Sequence, residues 1–370
     1  MAKKVKLLSI CKPKQYKTIS KNELVEDGKY LVYGANGVIG KSNKYTHENP
    51  TLMVTCRGAT CGSLNISKPF SYINGNAMAF DSIDQNFDLM YLYYYLSSRG
   101  FNDAISGTAQ PQITRENLKN IDVLELSLEK QKQIAKTLDK AQELIDLRKE
   151  SIAKLDELAK SIFINMFGDP VSNPKGWNIE KLDDITTKIG SGSTPKGGKD
   201  SYKNEGISLI RSLNIHDNKF KYKDLAFIDD LQAKGLSNVI VEKNDVLLNI
   251  TGASVCRCTI VPEDVLPARV NQHVAIIRTD ENVNSKYIMH LFISSYKDKL
   301  MHIATAGGAT REALTKENIQ NLEIPLPSID LQNKFAQIIE KIEEQKSLYE
   351  KELEKLEENF QALLQQSFKE

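Results

Sequence analysis

Ile113–Ala135 reads ITRENLKNIDVLELSLEKQKQIA, and Leu314–Ala336 reads LTKENIQNLEIPLPSIDLQNKFA. Thr114, Glu116, Asn117, Asn120, Ser127, Gln131 and Ala135 return as Thr315, Glu317, Asn318, Asn321, Ser328, Gln332 and Ala336, always 201 positions further on (314 less 113). Between them, Ile113/Leu314, Arg115/Lys316, Leu118/Ile319, Asp122/Glu323 and Val123/Ile324 keep size or charge. The register holds without a gap to Phe167 and Phe368. A period this long is not a solenoid repeat; it marks a duplicated module, a globular unit followed by a long helix, twice.

Each shared start runs into an apolar stripe. Leu128, Ile134, Leu138, Ala141, Ile145, Ile152, Leu155, Leu158 and Ile162 fall mostly three and four apart, and so do Phe335, Ile338, Ile342, Tyr349, Leu353, Leu356, Phe360 and Leu363. That is the spacing of one helix face. Neither stretch contains Gly or Pro, so each predicts a helix of about forty residues, roughly 60 Å long. A helix with a single apolar seam needs a partner, and its own copy is the nearest one. The expected fold is therefore α+β, with two globular modules separated by two long antiparallel helices and related by an internal pseudo-two-fold duplication. The segments are 1–112, the first module; 113–168, the central repeat with its long helix; 169–313, the second module; and 314–370, the C-terminal repeat with its long helix.

Inside the first module, Tyr30–Gly40 (YLVYGANGVIG) reads as strand, tight turn, strand. Thr51–Thr55 is a second strand, and it leads into the glycine-bounded loop Arg57–Gly62; a further strand lies near Ala77–Phe80. Phe87–Leu96 is helical by length, and its tyrosines are expected to pack rather than to stack on bases. Gly168-Asp-Pro170 and Asn173-Pro174 break the chain before the second module. There, strands are expected at Ser208–Arg211, Val239–Val241 and Val246–Ile250, with a helix near Tyr287–Leu300. Thr251–Ser254 takes the place of Gly58-Ala59-Thr60, and Gln272–Ile276 echoes Asn76–Phe80.

The formal net charge is +1 with 41% apolar residues, the composition of a globular protein. The modules lean basic and the repeat segments acidic. Lys3, Lys4, Lys6, Lys12, Lys14 and Lys17 all precede the first acid, Glu23. Cys11, Cys56, Cys61, Cys256 and Cys258 form an odd set with no framework spacing and no signal peptide ahead of them, which points to reduced thiols in the cytoplasm. Cys256-x-Cys258 has no second pair at zinc-site spacing, so no metal is expected. No apolar run approaches the ~18 residues needed to span a bilayer.

Catalytic signatures are missing as well. His47, His216, His273, His290 and His302 are scattered, and Ile189–Pro195 lacks the Gly-Lys-Ser/Thr ending of a P-loop. Neither a dinucleotide fingerprint nor the Asn/Asp-Pro-Pro-aromatic motif of an amino-methyltransferase occurs. What remains is polar and basic loop chemistry on rigid modules, which suits nucleic-acid recognition: Arg and Lys pair with guanine edges or phosphates, Asn and Gln with adenine edges. Arg57, Gln110, Gln112, Arg211, Asn214, Arg257, Gln272 and Arg311 sit in or beside the glycine-rich loops. The same loops and the strands around them offer Asn36, Lys41, Thr60, Ser193, Thr194, Lys196, Ser254 and Thr310. With Lys12 and Lys14 these form the candidate DNA-binding set.

The repeat, the turn Tyr33–Gly40, Arg57-Gly-Ala-Thr60, Gly107-Thr-Ala-Gln110 and Gly190-Ser-Gly-Ser-Thr-Pro195 together resemble the specificity (S) subunit of type I restriction-modification systems. The resemblance covers essentially the whole chain. It implies that each module is a target recognition domain reading one half of a split site in double-stranded DNA, with the helices as a ruler. It further implies a non-catalytic subunit that docks two adenine-N6 methyltransferase (M) subunits, which bind S-adenosylmethionine, and restriction (R) subunits, where present, that use ATP and Mg. Two other readings stand beside it: a coiled-coil scaffold that binds only protein, and a self-sufficient methyltransferase.

Overall fold

The structure, a computed structural model, describes residues 3–107, 110–306 and 312–369. It divides into two compact units: Met1–Glu150 with Glu350–Glu370, and Ser151–Tyr349.

In the first unit the chain forms β1 (Lys3–Lys6), β2 (Lys12–Gln15), β3 (Tyr30–Gly34) and β4 (Gly37–Ser42). Next come β5 (Leu52–Thr55), β6 (Leu64–Ile66), β7 (Tyr72–Ile73), β8 (Ala77–Asp81), helix α1 (Leu89–Arg99) and β9 (Asp122–Glu125). One sheet has the order β2-β8-β5-β6, and a second the order β4-β3-β7, with β3 and β7 parallel. Strand β5 serves two cores because its side chains alternate. Leu52 and Val54 join the core under α1, and Met53 joins Tyr33, Ile73 and Ala79 on the other face. This double burial explains why β5 reads as an unbroken apolar run. Helix α1 is capped by Asp88, whose carboxylate accepts from the Tyr91 amide at 2.9 Å. Tyr91 and Tyr94 are buried in packing, as expected.

The lysine-rich start is used within the fold. β1 pairs antiparallel with β9, and Lys3 meets Glu125 at 2.6 Å while Lys6 meets Asp122 at 2.7 Å. Ile113, Leu118, Ile121 and Val123, which belong to the repeat in sequence, lie in the core of this unit.

The second unit repeats the plan. It holds β10 (Asn178–Lys181), β11 (Thr186–Ser191), β12 (Ile207–Ile210), β13 (Ile215–His216), β14 (Lys219–Phe220) and β15 (Ala226–Ile228). These are followed by β16 (Ile240–Val241), β17 (Val246–Asn249), β18 (Cys258–Ile260), β19 (Ala268–Val270) and β20 (Val274–Thr279). Helices α2 (Ser285–Phe292) and α3 (Tyr296–Thr305) precede β21 (Glu323–Leu326). The sheet β11-β20-β17-β18 matches β2-β8-β5-β6, and β15-β12-β19-β16 extends the pattern of β4-β3-β7 by one strand. The ribbon β10–β21 matches β1–β9. The single helix expected over 287–300 is two helices, because the Ser294 hydroxyl bonds the Leu291 carbonyl at 2.6 Å and turns the chain at Ile293–Ser295.

The long helices span Leu128–Phe167 (40 residues) and Ile329–Ser367 (39 residues). In the first unit Arg148 meets Glu352 at 2.9 Å, and Ile134, Leu138 and Leu364 share one core. In the second, Phe163 packs on Phe335 with centroids 5.5 Å apart, and Lys346 meets Asp156 at 2.5 Å. Partner numbers fall on one helix as they rise on the other, so the pair is antiparallel within each unit. Among the described residues no helix is long and apolar enough to cross a membrane.

The residues kept between the repeats have structural jobs. Gln131 and Gln332 are fully buried. Each carboxamide oxygen accepts from the amide that starts the module helix, Asp88 or Asn284, at 2.9 Å. Each amide nitrogen donates to a carbonyl ahead of its long helix, Leu126 at 2.9 Å or Pro327 at 2.8 Å. The same fit recurs at Tyr91 and Tyr287, whose hydroxyls donate to the Leu124 and Pro325 carbonyls, again 201 apart. Thr114 with Asn117, and Thr315 with Asn318, close reciprocal side-chain to backbone caps.

A candidate nucleic-acid interface

Three loops of the first module are tied into one rim. After β5 the chain turns through Gly58, whose φ of 94° favours glycine, and the Gly58 amide donates to the Pro111 carbonyl at 3.2 Å. The Ile113 amide donates to the Cys56 carbonyl and the Cys56 amide to that of Asn76, both at 3.0 Å. Thr60 donates its hydroxyl to the Asn36 carboxamide, and Thr55 donates to the Ala35 carbonyl, which draws in the β3–β4 turn. Arg57 and Gln112 face each other across a backbone bridge, both exposed. The structure thus brings together Asn36, Arg57, Thr60 and Gln112, with Gln110 exposed two residues before Gln112.

It does not bring in the lysines equally. Lys12 pairs with Asp81 at the end of β8 remote from these loops, and Lys14 lies midway along β2 with its ammonium 4.6 Å from the Tyr16 ring centroid. Lys41 sits opposite Leu31, at the end of the β3–β4 hairpin away from its turn. All three are exposed, so they extend the basic surface rather than the rim.

The second module builds the same backbone lattice. The Gly252 amide donates to the Glu312 carbonyl at 3.0 Å, the Leu314 amide to Ile250 at 2.8 Å, and the Ile250 amide to His273 at 3.0 Å. Each matches a bond of the first module, with Gly252 for Gly58, as the sequence suggested. The echo of Asn76–Phe80 is one residue out of register, however. Thr55 pairs with Ala77 and Asn249 with Val274, so Asn76 corresponds to His273 and not to Gln272.

On this lattice the side chains form a chain of hydrogen bonds. Thr194 donates to the Gln272 carboxamide oxygen, and the Gln272 amide lies 3.2 Å from His273 Nε2. His273 Nδ1 lies 2.5 Å from the Thr251 hydroxyl. Donation by Gln272 makes Nε2 the acceptor and leaves the Nδ1 proton for Thr251. Ser254 meets the buried Asn249 amide at 3.2 Å, and that amide also donates to the Ser212 carbonyl at 2.9 Å. Arg257 lies 3.4 Å from His216, so the excursion after β12 joins the same face. Ser193 and Lys196 are exposed in the loop beyond β11. Thr310 and Arg311 lie outside the described residues.

One expectation changes. Asn214 is not available to a base: it is fully buried, its amide donates to the Lys221 carbonyl at 2.8 Å, and its oxygen accepts from the Arg211 amide at 3.1 Å. It holds the excursion in shape. The small residues of Gly190–Pro195 serve the fold as well, since a Cβ on Gly192 would stand 1.7 Å from the Val270 carbonyl oxygen. That close approach is to the neighbouring strand. Arg211 is half-buried, donates to the Asp224 carbonyl and lies 5.2 Å from the Tyr202 ring centroid, so only part of its fork remains for a ligand.

Three features lie outside the nominated set. Thr251 and His273 link the loops of the second module. The third is Lys219-Phe-Lys-Tyr-Lys223, where lysines alternate with aromatics and all three lysines are exposed. Burial, then the charges of Lys221 and Arg257, hold the His216 imidazole below its ordinary value. Cys256 and Cys258 are buried; burial pushes the Cys256 thiol up to about 12 and the Cys258 thiol well above its usual value. Thiols held protonated in this way are packing groups.

A duplicated α+β module, carried twice on antiparallel helices and presenting amide, hydroxyl and guanidinium groups on one lattice, defines a paired-recognition protein. The family model described as the type I restriction modification DNA specificity domain matches residues 2–157 and 174–358, and the chain belongs to that family. The putative type I restriction enzyme MjaX specificity subunit of Methanocaldococcus jannaschii is 24% identical over 72% of this chain and 61% of its own length. The MjaVIII specificity subunit of the same organism is 22% identical over 88% of this chain and 81% of its own. Among solved structures, the S subunit of a type I restriction-modification system from M. genitalium superimposes with a TM-score of 0.64 at 17% identity, covering 100% of this chain and 96% of that one. That likeness is one of fold.

Proposed function

We propose that this chain is the sequence-reading subunit of a type I restriction-modification complex, acting in the cytoplasm on double-stranded DNA. Each module reads one half of a split site, the long helices set the distance between the halves, and the chain performs no chemistry itself. Methylation of adenine N6 falls to two methyltransferase subunits docked on it, which bring S-adenosylmethionine. Restriction subunits, where they join, bring ATP- and Mg-dependent cleavage. The observation that carries this reading is that one backbone lattice recurs in both modules but presents different side chains: Asn36, Arg57, Thr60 and Gln112 in the first, Thr194, Thr251, Gln272 and His273 in the second. A shared scaffold with unlike loops suits two unlike half-sites.

The test is to purify the chain with its methyltransferase partner and map the methylated adenines. A split motif is expected, and exchange of the first module for that of a relative should change one half only. An undivided motif, or one indifferent to the exchange, would refute the reading. Absent or salt-insensitive binding to every duplex would favour the protein-only scaffold instead.

A further inference from the structure

In the first unit, edge strand β6, helix α1 and the middle of the central helix Leu128–Phe167 enclose a groove of about 500 Å³. Its floor is apolar, with Leu64, Ile66, Met90 and Tyr93 half-buried. Its wall is acidic: Asp139, Glu143, Asp146 and Glu150 follow one another at spacings of four, three and four, on one face of the central helix. Leu147 stands among them with 52% of its surface exposed. No lysine or arginine is among the described residues lining the groove. Asp139 accepts from the Tyr94 hydroxyl at 2.8 Å and Asp146 from the Gln142 amide at 3.0 Å, but one such bond apiece leaves four like charges in a row, a spacing that weakens a helix.

The duplicate shows what a neutralised version looks like. The repeat shift places Glu340 and Glu343 where the first unit has Asp139 and Gln142, and Ser347 at the position of Asp146. The caps Asp88 and Asn284 place Lys286 where the first unit has Met90. Lys286 lies 2.5 Å from Glu343 and 4.0 Å from Glu340, so the second unit neutralises its own wall. The first unit has a methionine there and leaves its wall without that lysine.

We infer that the groove between β6, α1 and the acidic face of the central helix is a docking site for a lysine- or arginine-bearing segment of a protein partner, seated with an apolar side chain on Met90 and Tyr93. The four carboxylates repel a phosphate backbone, so this wall is no extension of the DNA face. The counterpart position carries Lys286, so among the described residues the lysine-free acidic wall belongs to the first unit, which makes the two units unequal as docking platforms. The inference rests on reading the chain as a subunit of a methyltransferase complex.

The experiment titrates the cognate methyltransferase subunit against four full-length chains, with affinity read by interferometry and stoichiometry by native mass spectrometry. The chains are wild type, E143K/D146K, M90K and E344K. E143K/D146K should weaken capture at least ten-fold, and M90K, which supplies the lysine found at position 286, should do the same. E344K, the counterpart of the Glu143 change, should stay within two-fold of wild type. The E143K/D146K positions are exposed, so unchanged thermal melting is expected and the result reports on docking. Binding within two-fold of wild type by E143K/D146K overturns the groove and leaves the functional reading intact, and an equal loss in E344K overturns its asymmetry. A wild-type chain that holds no methyltransferase overturns both readings. Concentration-dependent dimers of the isolated chain, abolished by E143K/D146K, would put a second copy in the groove and overturn the partner assignment.

Discussion

The two modules share a fold, yet they differ most where they would meet a ligand. The first closes β3 onto β4 with a tight turn at Ala35 and Asn36, whereas the second sends residues 211–225 out between β12 and β15 as a small hairpin carrying Lys219, Lys221 and Lys223. Backbone bonds such as Gly58 to Pro111 and Gly252 to Glu312 are retained, while the side chains above them are not. The lesson is that the duplication preserved the means of holding loops at a fixed place and released the loops themselves.

The largest effect should come from breaking what is common. Gln131→Leu removes partners from the Asp88 amide and from the Asn86 and Leu126 carbonyls in a buried site, and Gln332→Leu does so for Asn284 and Pro327. Unsatisfied buried groups cost about 1–3 kcal/mol each, so we expect roughly 3–5 kcal/mol for the first change and somewhat less for the second. Hydrogen exchange should localise each loss: Q131L loosens α1 and spares α2, and Q332L does the reverse. Equal loosening of both helices by either change would show that the modules do not fold as separate units.

A second contrast lies within one loop. Gly192→Ala must push the chain off the Val270 carbonyl, whereas Gly190→Ala meets nothing closer than the Lys188 side chain at 3.7 Å. Overpacking of this kind costs about 1–3 kcal/mol, so thermal melting should drop for the first variant and stay level for the second. Equal melting temperatures would show that the loop relaxes away from the Val270 carbonyl at little cost and that the close approach does not require glycine.

Much of this was legible in the sequence because the duplication is a long-range signal in itself. The repeat, the two helices and the matching of Gly58 with Gly252 can be read from spacing alone. The reason Gln131 and Gln332 persist cannot, since their partners Asp88 and Asn284 lie more than forty positions away and have no fixed sequence relation to them. The one-residue error at Gln272 has a physical cause as well: Val274–Ile277 is apolar throughout, so no alternation sets its register. Asn214 carries the chemistry of a base-reading residue, and only its burial reveals a structural one. The Lys219–Lys223 run has a readable pattern of lysines and aromatics, but its place beside Arg257 and His216 depends on the hairpin and on the Asn249 side chain that pins Ser212.

The rims themselves predict different kinds of loss. Arg57→Ala should relax the first half-site and His273→Ala the second, each lowering discrimination by about 1–3 kcal/mol at one position of the methylation motif. Lys221→Ala should weaken every duplex alike and reduce the salt slope of binding by about 0.9. A uniform loss from the Arg57 change would show that this guanidinium touches phosphate, and a sequence-dependent loss from the Lys221 change would make the excursion a base reader.

The smallest expected effect uses a difference between the modules that needs no mutation. Cys61 is half-buried in the loop carrying Arg57 and Thr60, while Cys11, Cys56, Cys256 and Cys258 are all buried. Burial raises the Cys61 thiol above its ordinary value, so at pH 8 little of it is thiolate, the reactive form. Its labelling by N-ethylmaleimide should be slow at pH 8 and accelerate as the pH rises through the usual thiol range and beyond, because deprotonation is what the raised pKa delays. Peptide mass spectrometry should find this cysteine modified before the other four. A duplex carrying the first half-site should slow the reaction several-fold, and one altered in the second half-site should still protect, provided that binding is saturated. Protection by the second half-site alone, with none from the first, would reverse the assignment of halves to modules. No protection by any duplex would remove the Arg57–Gly62 loop from the DNA face altogether.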